Sequence, residues 1–466
     1  IDDFTRIRAI RLWTQGHDAP VTMRLASLEL VGSQWRTSQN VADEPVEQGD
    51  AIEDEENELR VASINNEEDA DYEEPVGAIV SRSRTARGQT AQSREQSLLL
   101  SLNQLDENQQ RAVFKSFNQG LDLLKYSNLR MYLHAHGATV ADTSTITDNL
   151  RLFVRLGANE SDDFYEYEQK LTGQAPPSTS NDYPWLEENE LNLPLSEFNR
   201  LKVDRDQSAT PPDSLFARPS DARPDRVTLR VKGTPSLRRI NTVVIGLRHA
   251  GQTDEPLESI EVWTNELRVT GYDERTGWAA ISNANVKLAD FGEVSGSFQR
   301  RTDGFGGLSS TLSEREQADN TSWNVRSEIN LSKLLPERQG WSIPVTMQVQ
   351  SSTTTPRFDP NRGDVRIEEI VQQLRNSETL TSDYARRFGE DATASEIEAA
   401  LVDSVRDAAR TTNLRRTMTA NVSKSNSDAW LLRNTLDATS LNFSYFDRQA
   451  RSPDQQLNNQ WNWSGA

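Results

Sequence analysis

The chain has 466 residues, a net charge of −20, 35% hydrophobic residues and no cysteine. No stretch is apolar enough for a membrane-spanning helix, the acidic balance argues against nucleic acid or anionic headgroups as non-specific partners, and the missing thiols exclude disulfides and Cys-based sites. A transmembrane β-barrel stays open, since only alternate residues of its strands face lipid and mean hydropathy stays low.

The length suggests two to four domains. The chain starts at Ile1 rather than Met, and both ends look like strand interiors, so it reads as an excerpt of a longer protein. Residues 7–12 and 21–32 alternate as two strands joined by a turn with His17, Asp18 and Pro20. A similar unit recurs at 239–246 and 259–271, and each copy ends Leu-x-(Leu/Val)-x-Gly. Self-similarity at this distance predicts two related β-sandwich modules, the first cut off at its front. Between them, residues 43–74 carry the acidic runs 53–56 and 67–69 and read as a solvated linker, because like charges repel and few aromatics are available to bury. A calcium site would need a loop of spaced oxygen ligands, and none is recognisable.

Order returns at Glu95. The spacing over 106–117 predicts a short helix, residues 129–135 and 150–156 alternate as strands, and a Pro- and Ser-containing loop at 175–180 leads to a second short helix at 195–202. After Gly271 a period of two takes over. Ala284, Val286 and Leu288 alternate with polar residues, as do Val294, Gly296 and Phe298, then Trp323, Val325, Ser327, Ile329 and Leu331. Ile343, Val345, Met347 and Val349 repeat the pattern, followed by Met418, Ala420 and Val422 and by Leu441, Phe443 and Tyr445. Such a dyad is what a transmembrane barrel strand requires, with Val286, Leu288, Trp323, Val325, Ile329, Leu331, Val345, Met347 and Val349 facing lipid. A one-sided sheet of a secreted protein would show the same alternation. The connections at 289–293, 302–321, 332–342 and 355–414 alternate short and long, an outer-membrane habit. The last contains a helical stretch at 394–409 with Ile397, Leu401 and Val405 on one stripe.

Signals for chemistry are sparse. His134 and His136 share one face of a strand, but a metal needs three or four convergent ligands and no third lies close in sequence. The glycines of Asp303-Gly304-Phe305-Gly306-Gly307 lack the Lys-Ser/Thr that follows a phosphate loop. No nucleophile elbow exists, and the carboxylates are too numerous for one catalytic pair to stand out. Tyr165, Tyr167 and Trp185 could line a glycan groove, although such aromatics are more often sandwich core. No catalytic residue, cofactor or metal is expected.

Several runs, in order, carry a family likeness: Glu95-Gln96-Ser97-Leu98, Leu129-Arg130-Met131-Tyr132-Leu133-His134-Ala135, Leu152-Phe153-Val154-Arg155-Leu156-Gly157 and Phe164-Tyr165-Glu166-Tyr167-Glu168. Trp185-Leu186-Glu187-Glu188-Asn189, Val231-Lys232-Gly233-Thr234-Pro235-Ser236-Leu237, Glu261-Val262-Trp263-Thr264-Asn265-Glu266-Leu267-Arg268 and Ala284-Asn285-Val286-Lys287-Leu288-Ala289-Asp290 continue the set. From about Arg6 to Phe358 the chain resembles the SprA/Sov family. Residues 81–88 depart from the family's pattern, and so does His136, which follows its His-Ala. The resemblance implies the translocon of type IX secretion, also linked to gliding motility: a giant outer-membrane barrel that conducts folded cargo, with a lateral opening served by partner and plug proteins.

The expectation is therefore an all-β chain of jelly-roll-like β-sandwich modules followed by antiparallel strands of an incomplete outer-membrane barrel. Its boundaries are the end of one sandwich at 1–40, an acidic linker at 41–90, a second sandwich at 91–271 and barrel strands at 272–466. The expected localisation is the cell outer membrane, and the expected partners are secreted cargo, other type IX proteins and the lipid bilayer, with no nucleic acid. A secreted carbohydrate-binding sandwich or a surface adhesin is the rival reading, and an enzyme comes last.

Overall fold

Two packed antiparallel sheets and one open antiparallel sheet organise the chain in the computed structural model, which describes residues 35–42, 59–77, 82–84, 90–92, 95–179, 182–250, 255–273, 275–310, 314–376 and 394–466. The expected strands at 7–12 and 21–32 and the acidic run at 53–56 lie outside the described residues. Among the described residues the fold is mostly β, with antiparallel sheets and no closed barrel.

In chain order the first strands are β1 (Arg36–Thr37), β2 (Arg60–Asn65), β3 (Arg82–Arg84), β4 (Thr90–Gln92), β5 (Gln96–Leu105), β6 (Gln110–Leu121) and β7 (Asn128–His136). There follow β8 (Leu150–Gly157), β9 (Phe164–Lys170), β10 (Leu191–Pro194), β11 (Phe216–Pro219), β12 (Val227–Lys232), β13 (Ile240–His249) and β14 (Leu257–Thr270). One sheet runs β1-β6-β13-β8-β9-β12-β11, its partner β10-β7-β14-β5-β2, and β3 and β4 pair as a separate ribbon. Leu100, Leu102, Met131, Leu133 and Val262 of the smaller sheet share one buried cluster with Val154, Tyr165, Leu229 and Ile245 of the larger, which defines a sandwich.

The strand β6 corrects the helix expected at 106–117. Its Val113 enters the inter-sheet core while Ala112 packs outward against Val41, Phe153 and Val244. A strand covered on both faces loses the polar alternation by which strands are recognised. The expected helix at 195–202 is present and longer, Ser196–Gln207. Part of the stretch expected to be a solvated linker is also folded: β2 pairs with β5, and Ile64 and Tyr72 are buried against Trp185 and Trp263. The acidic residues there close a turn, with Asp69 accepting from the Asn65 backbone N–H at 2.9 Å.

The outer face of the larger sheet holds buried charge. Arg155 meets Glu166 at 2.7 Å, Arg230 meets Glu166 at 2.8 Å, and Arg248 pairs with Glu166 and Glu168. Burial alone would push the Glu166 carboxyl up, but the guanidiniums of Arg248, Arg155 and Arg230 together hold it well below the usual carboxylate range.

After Gly271 come β15 (Ala279–Leu288), β16 (Gly292–Arg301), β17 (Ala318–Asn330), β18 (Trp341–Ser342), β19 (Pro344–Pro356), β20 (Thr411–Lys424), β21 (Ser440–Ser452) and β22 (Gln455–Gly465). They form one sheet in the order β15-β16-β17-β19-β20-β21-β22, with the short β18 beside β20. The helix Ala394–Ala409 falls where the sequence predicted it, and Val402 and Val405 pack against Ile367 and Val371.

This sheet is pinned to the sandwich at one end. The connection from β19 to β20 sends Phe358 against the sandwich core and buries Asp364 completely. Asp364 accepts from the Tyr165 hydroxyl at 2.7 Å, from the Leu237 backbone N–H at 3.0 Å and from Lys202 Nζ at 3.1 Å. Nearby, Arg357 reaches Asp273 at 2.7 Å, tying the start of the same connection to the exit of β14.

Candidate functional surface, a two-faced open sheet

Strand register decides whether seven separate alternations add up to a surface. Val286 of β15 pairs with Val294 of β16, which pairs with Ser327 of β17, which pairs with Met347 of β19. Met347 pairs with Met418, Met418 with Tyr445, and Tyr445 with Trp463. Directly opposed residues point to the same side of a sheet, so one row of mostly apolar side chains crosses all seven long strands. The neighbouring rows hold Leu288, Ile329, Val345, Ala420 and Phe443 on one side, and Ala284, Val325 and Val349 on the other.

The opposite face is mostly polar along the same strands, with Ile281 and Phe446 as its large apolar residues. Gln348 donates to Asn324 Oδ1 at 3.0 Å, Asn421 donates to Asn442 Oδ1 at 2.7 Å, and Asn285 donates to Glu293 at 2.7 Å. Arg326 pairs with Glu328, and the hydroxyls of Ser444 and Ser464 lie 2.7 Å apart.

Of the residues expected to face lipid, Val286, Leu288, Trp323, Val325 and Met347 are exposed on the apolar face, while Ile329, Val345 and Val349 are half-buried on it. Trp323 is 37% exposed and Met347 46%. Leu331, expected as a strand position, opens the 3-10 turn Leu331–Leu334 instead, because the Asn330 side chain accepts from the Ser332 N–H and ends the strand. It is exposed as well. Among the described residues, no strand residue of this sheet belongs to a buried hydrophobic cluster. So large an uncovered apolar surface marks an interaction site.

The sequence missed how the band is bounded. At the sandwich end the band gives way to Ser282 on β15, Arg300 on β16, Thr321 on β17, Ser351 on β19, Arg416 on β20 and Asp447 on β21, with Ser327 a polar position inside the band. Leu414 lies below this line, and Trp461 is level with Asp447. Just inside the line sit Phe298, Trp323 and Tyr445, with Trp463 beside Tyr445. Arg300 lies over the Trp278 ring at 5.2 Å, and Arg416 pairs with Asp447 at 3.3 Å. From β16 to β20 the line steps across: Arg300 is in register with Thr412 through Thr321 and Thr353, yet β20 turns polar at Arg416, four residues further on. That is about 13 Å along the strands over about 14 Å across three strand spacings, a slope of about 40°.

The other candidates resolve into interior packing. His134 Nδ1 contacts Gln174 Oε1 and the Pro184 carbonyl, each at 2.8 Å, and His136 faces Glu261 at 3.5 Å. Among the described residues no group of three His, Cys, Asp or Glu could hold a metal. Tyr165, Tyr167 and Trp185 are buried, so they line no glycan groove. The connection lengths follow the expected short-long pattern at 289–291, 302–317, 331–343 and 357–410, then reverse at 425–439 and 453–454.

The class defined by this fold and surface is an all-β protein that joins a sandwich to an open, amphipathic antiparallel sheet. The profile of the SprA_N family, described as motility related/secretion protein, matches residues 1–371, and the chain belongs to that family. It is a motility- and secretion-related protein. No curated protein matches the chain significantly.

Proposed function

We propose that this chain is part of a protein-conducting channel of the outer membrane, the translocon of type IX secretion and gliding motility, and that it works by conduction and gating without covalent chemistry. The observation that carries the reading is the register of the open sheet, in which all seven long strands contribute to one apolar and one polar face. Transmembrane barrel strands alternate apolar-out and polar-in, tilt by 35–45°, and end their apolar band in aromatic girdles. The polar boundary, which steps with a slope of about 40° between Arg300 and Arg416, fits a flat bilayer boundary crossing tilted strands, and Phe298, Trp323 and Tyr445 sit just inside it. Long Arg side chains next to aromatics, as at Arg300 and Trp278, suit the headgroup layer.

In this reading the apolar face meets the bilayer, the polar face lines a water-filled passage for secreted cargo, and other type IX outer-membrane and plug proteins serve its openings. Seven long strands are fewer than the eight or so that close the smallest barrels, so the passage requires further strands. The acidic balance argues against non-specific binding of nucleic acid.

Cysteine accessibility in the full-length protein tests it. Cysteines at Val325, Ile329, Val345 and Val349 should react with membrane-embedded probes, and cysteines at Arg326 and Gln348 with aqueous ones. Equal aqueous labelling of both sets would defeat the proposal.

A further inference from the structure

The polar face carries a pair of opposed like charges. Arg415 of β20 stands directly opposite Arg448 of β21. Like charges facing each other across an antiparallel pair repel, and other cations of this face have acidic neighbours: Lys287 faces Glu293, Arg326 binds Glu328 and Arg301 binds Glu316. Among the described residues no ion pair forms to Arg415 or Arg448. Neutral groups hold both instead. The Arg415 guanidinium lies over the Phe446 ring at 5.2 Å, and Arg448 Nε donates to Asn413 Oδ1 at 3.3 Å. Gln350 is the register partner of Arg415, and Ser352 that of Asn413. These six residues line a groove of about 350 Å³.

We infer that this groove docks carboxylate side chains of an extended acidic peptide segment, which deepens the channel reading and rests on it. Two oriented guanidinium forks match carboxylates in bidentate geometry. The side-chain amides of Gln350 and Asn413 can pair with a peptide backbone, and the Phe446 ring offers a small apolar floor. Phosphate is also matched by guanidinium forks, but phosphate sites are usually built from converging backbone N–H groups at a helix start or loop nest, and the groove lies on strands. Lipid headgroups are set aside by position, because the groove opens on the face opposite the apolar band. A cationic place on a wet wall raises the local concentration of acidic segments and slows their escape.

The test uses the full-length protein in nanodiscs and a fluorescent poly-glutamate peptide, followed by anisotropy. Binding should weaken with salt, and the double variant Arg415→Gln/Arg448→Gln should lose about tenfold or more in affinity. Arg415→Lys/Arg448→Lys should keep part of it, since the charge survives and the fork does not. Unchanged labelling of a Val325 cysteine by membrane probes reports that the double variant is still inserted. Equal affinity of the Gln variant and the parent overturns the inference, and so does displacement of the peptide by inorganic phosphate at equal charge concentration. The channel reading fails separately, if the Arg326 position resists aqueous probes while peptide binding still depends on the two arginines.

Discussion

His134 is kept neutral by where it sits. Burial pushes its imidazole down to about 4, with the neighbouring His136 adding to the effect, while the Gln174 and Pro184 contacts oppose it. Its ring lies 4.5 Å from that of Trp263. A histidine with a folded-state value below its unfolded value of about 6.5 binds fewer protons in the native state, so its share of stability is complete above about pH 6.5 and is lost as pH falls towards 4. Denaturant unfolding followed by tryptophan fluorescence should therefore show acid destabilisation of about 3 kcal/mol from this residue across that window. His249 is shifted the same way by burial, so His134→Gln should flatten the pH dependence in part. An unchanged slope in that variant would count against this account. The His134–His136 pair was visible in the sequence, but its role was not, since the partners Gln174, Pro184 and Trp263 come from distant segments.

At the scale of single elements, legibility depended on how many faces of a strand are covered. β17 and β19 were readable because one face is apolar and the other polar, so a period of two survives in the letters. β6 was misread because the core covers one side and Val41, Phe153 and Val244 cover the other. β8 is buried along its whole length and was still recognised, because Arg151 and Arg155 keep an alternation in the letters. Within the open sheet the two faces should respond differently to charge. Val325→Arg, near the middle of the band, should cost about 2–4 kcal/mol of insertion stability, whereas Asn324→Arg on the polar face should cost little. Urea-dependent folding into bilayers measures both. Similar penalties at the two positions would mean that the faces are not divided between lipid and water.

On the scale of the whole molecule, Asp364 decides how the sandwich and the open sheet are joined. Its carboxylate is fully buried and held by Lys202, Tyr165 and the Leu237 N–H. Asp364→Asn keeps the shape but leaves the Lys202 ammonium without its counter-charge, at a cost of about 3–5 kcal/mol. Hydrogen exchange in the full-length protein should then quicken over residues 357–367, and adding Lys202→Met should restore part of the protection. Unaltered exchange in Asp364→Asn would show that the junction is held elsewhere. The family match ends at residue 371, just beyond this junction, so the sandwich, the first four long strands of the sheet and the pin all lie within the matched region.

By itself the sequence determined the all-β class, the two-faced strands after Gly271 and the family, because alternation and ordered motifs are local properties that survive without a fold. Only the tertiary structure decided the register that joins seven alternations into one band, the oblique polar line that bounds it, the Arg415–Arg448 opposition and the burial of Asp364. Each of these depends on which residues of distant segments stand opposite one another, and that pairing is set by packing across the sheet and not by neighbours along the chain.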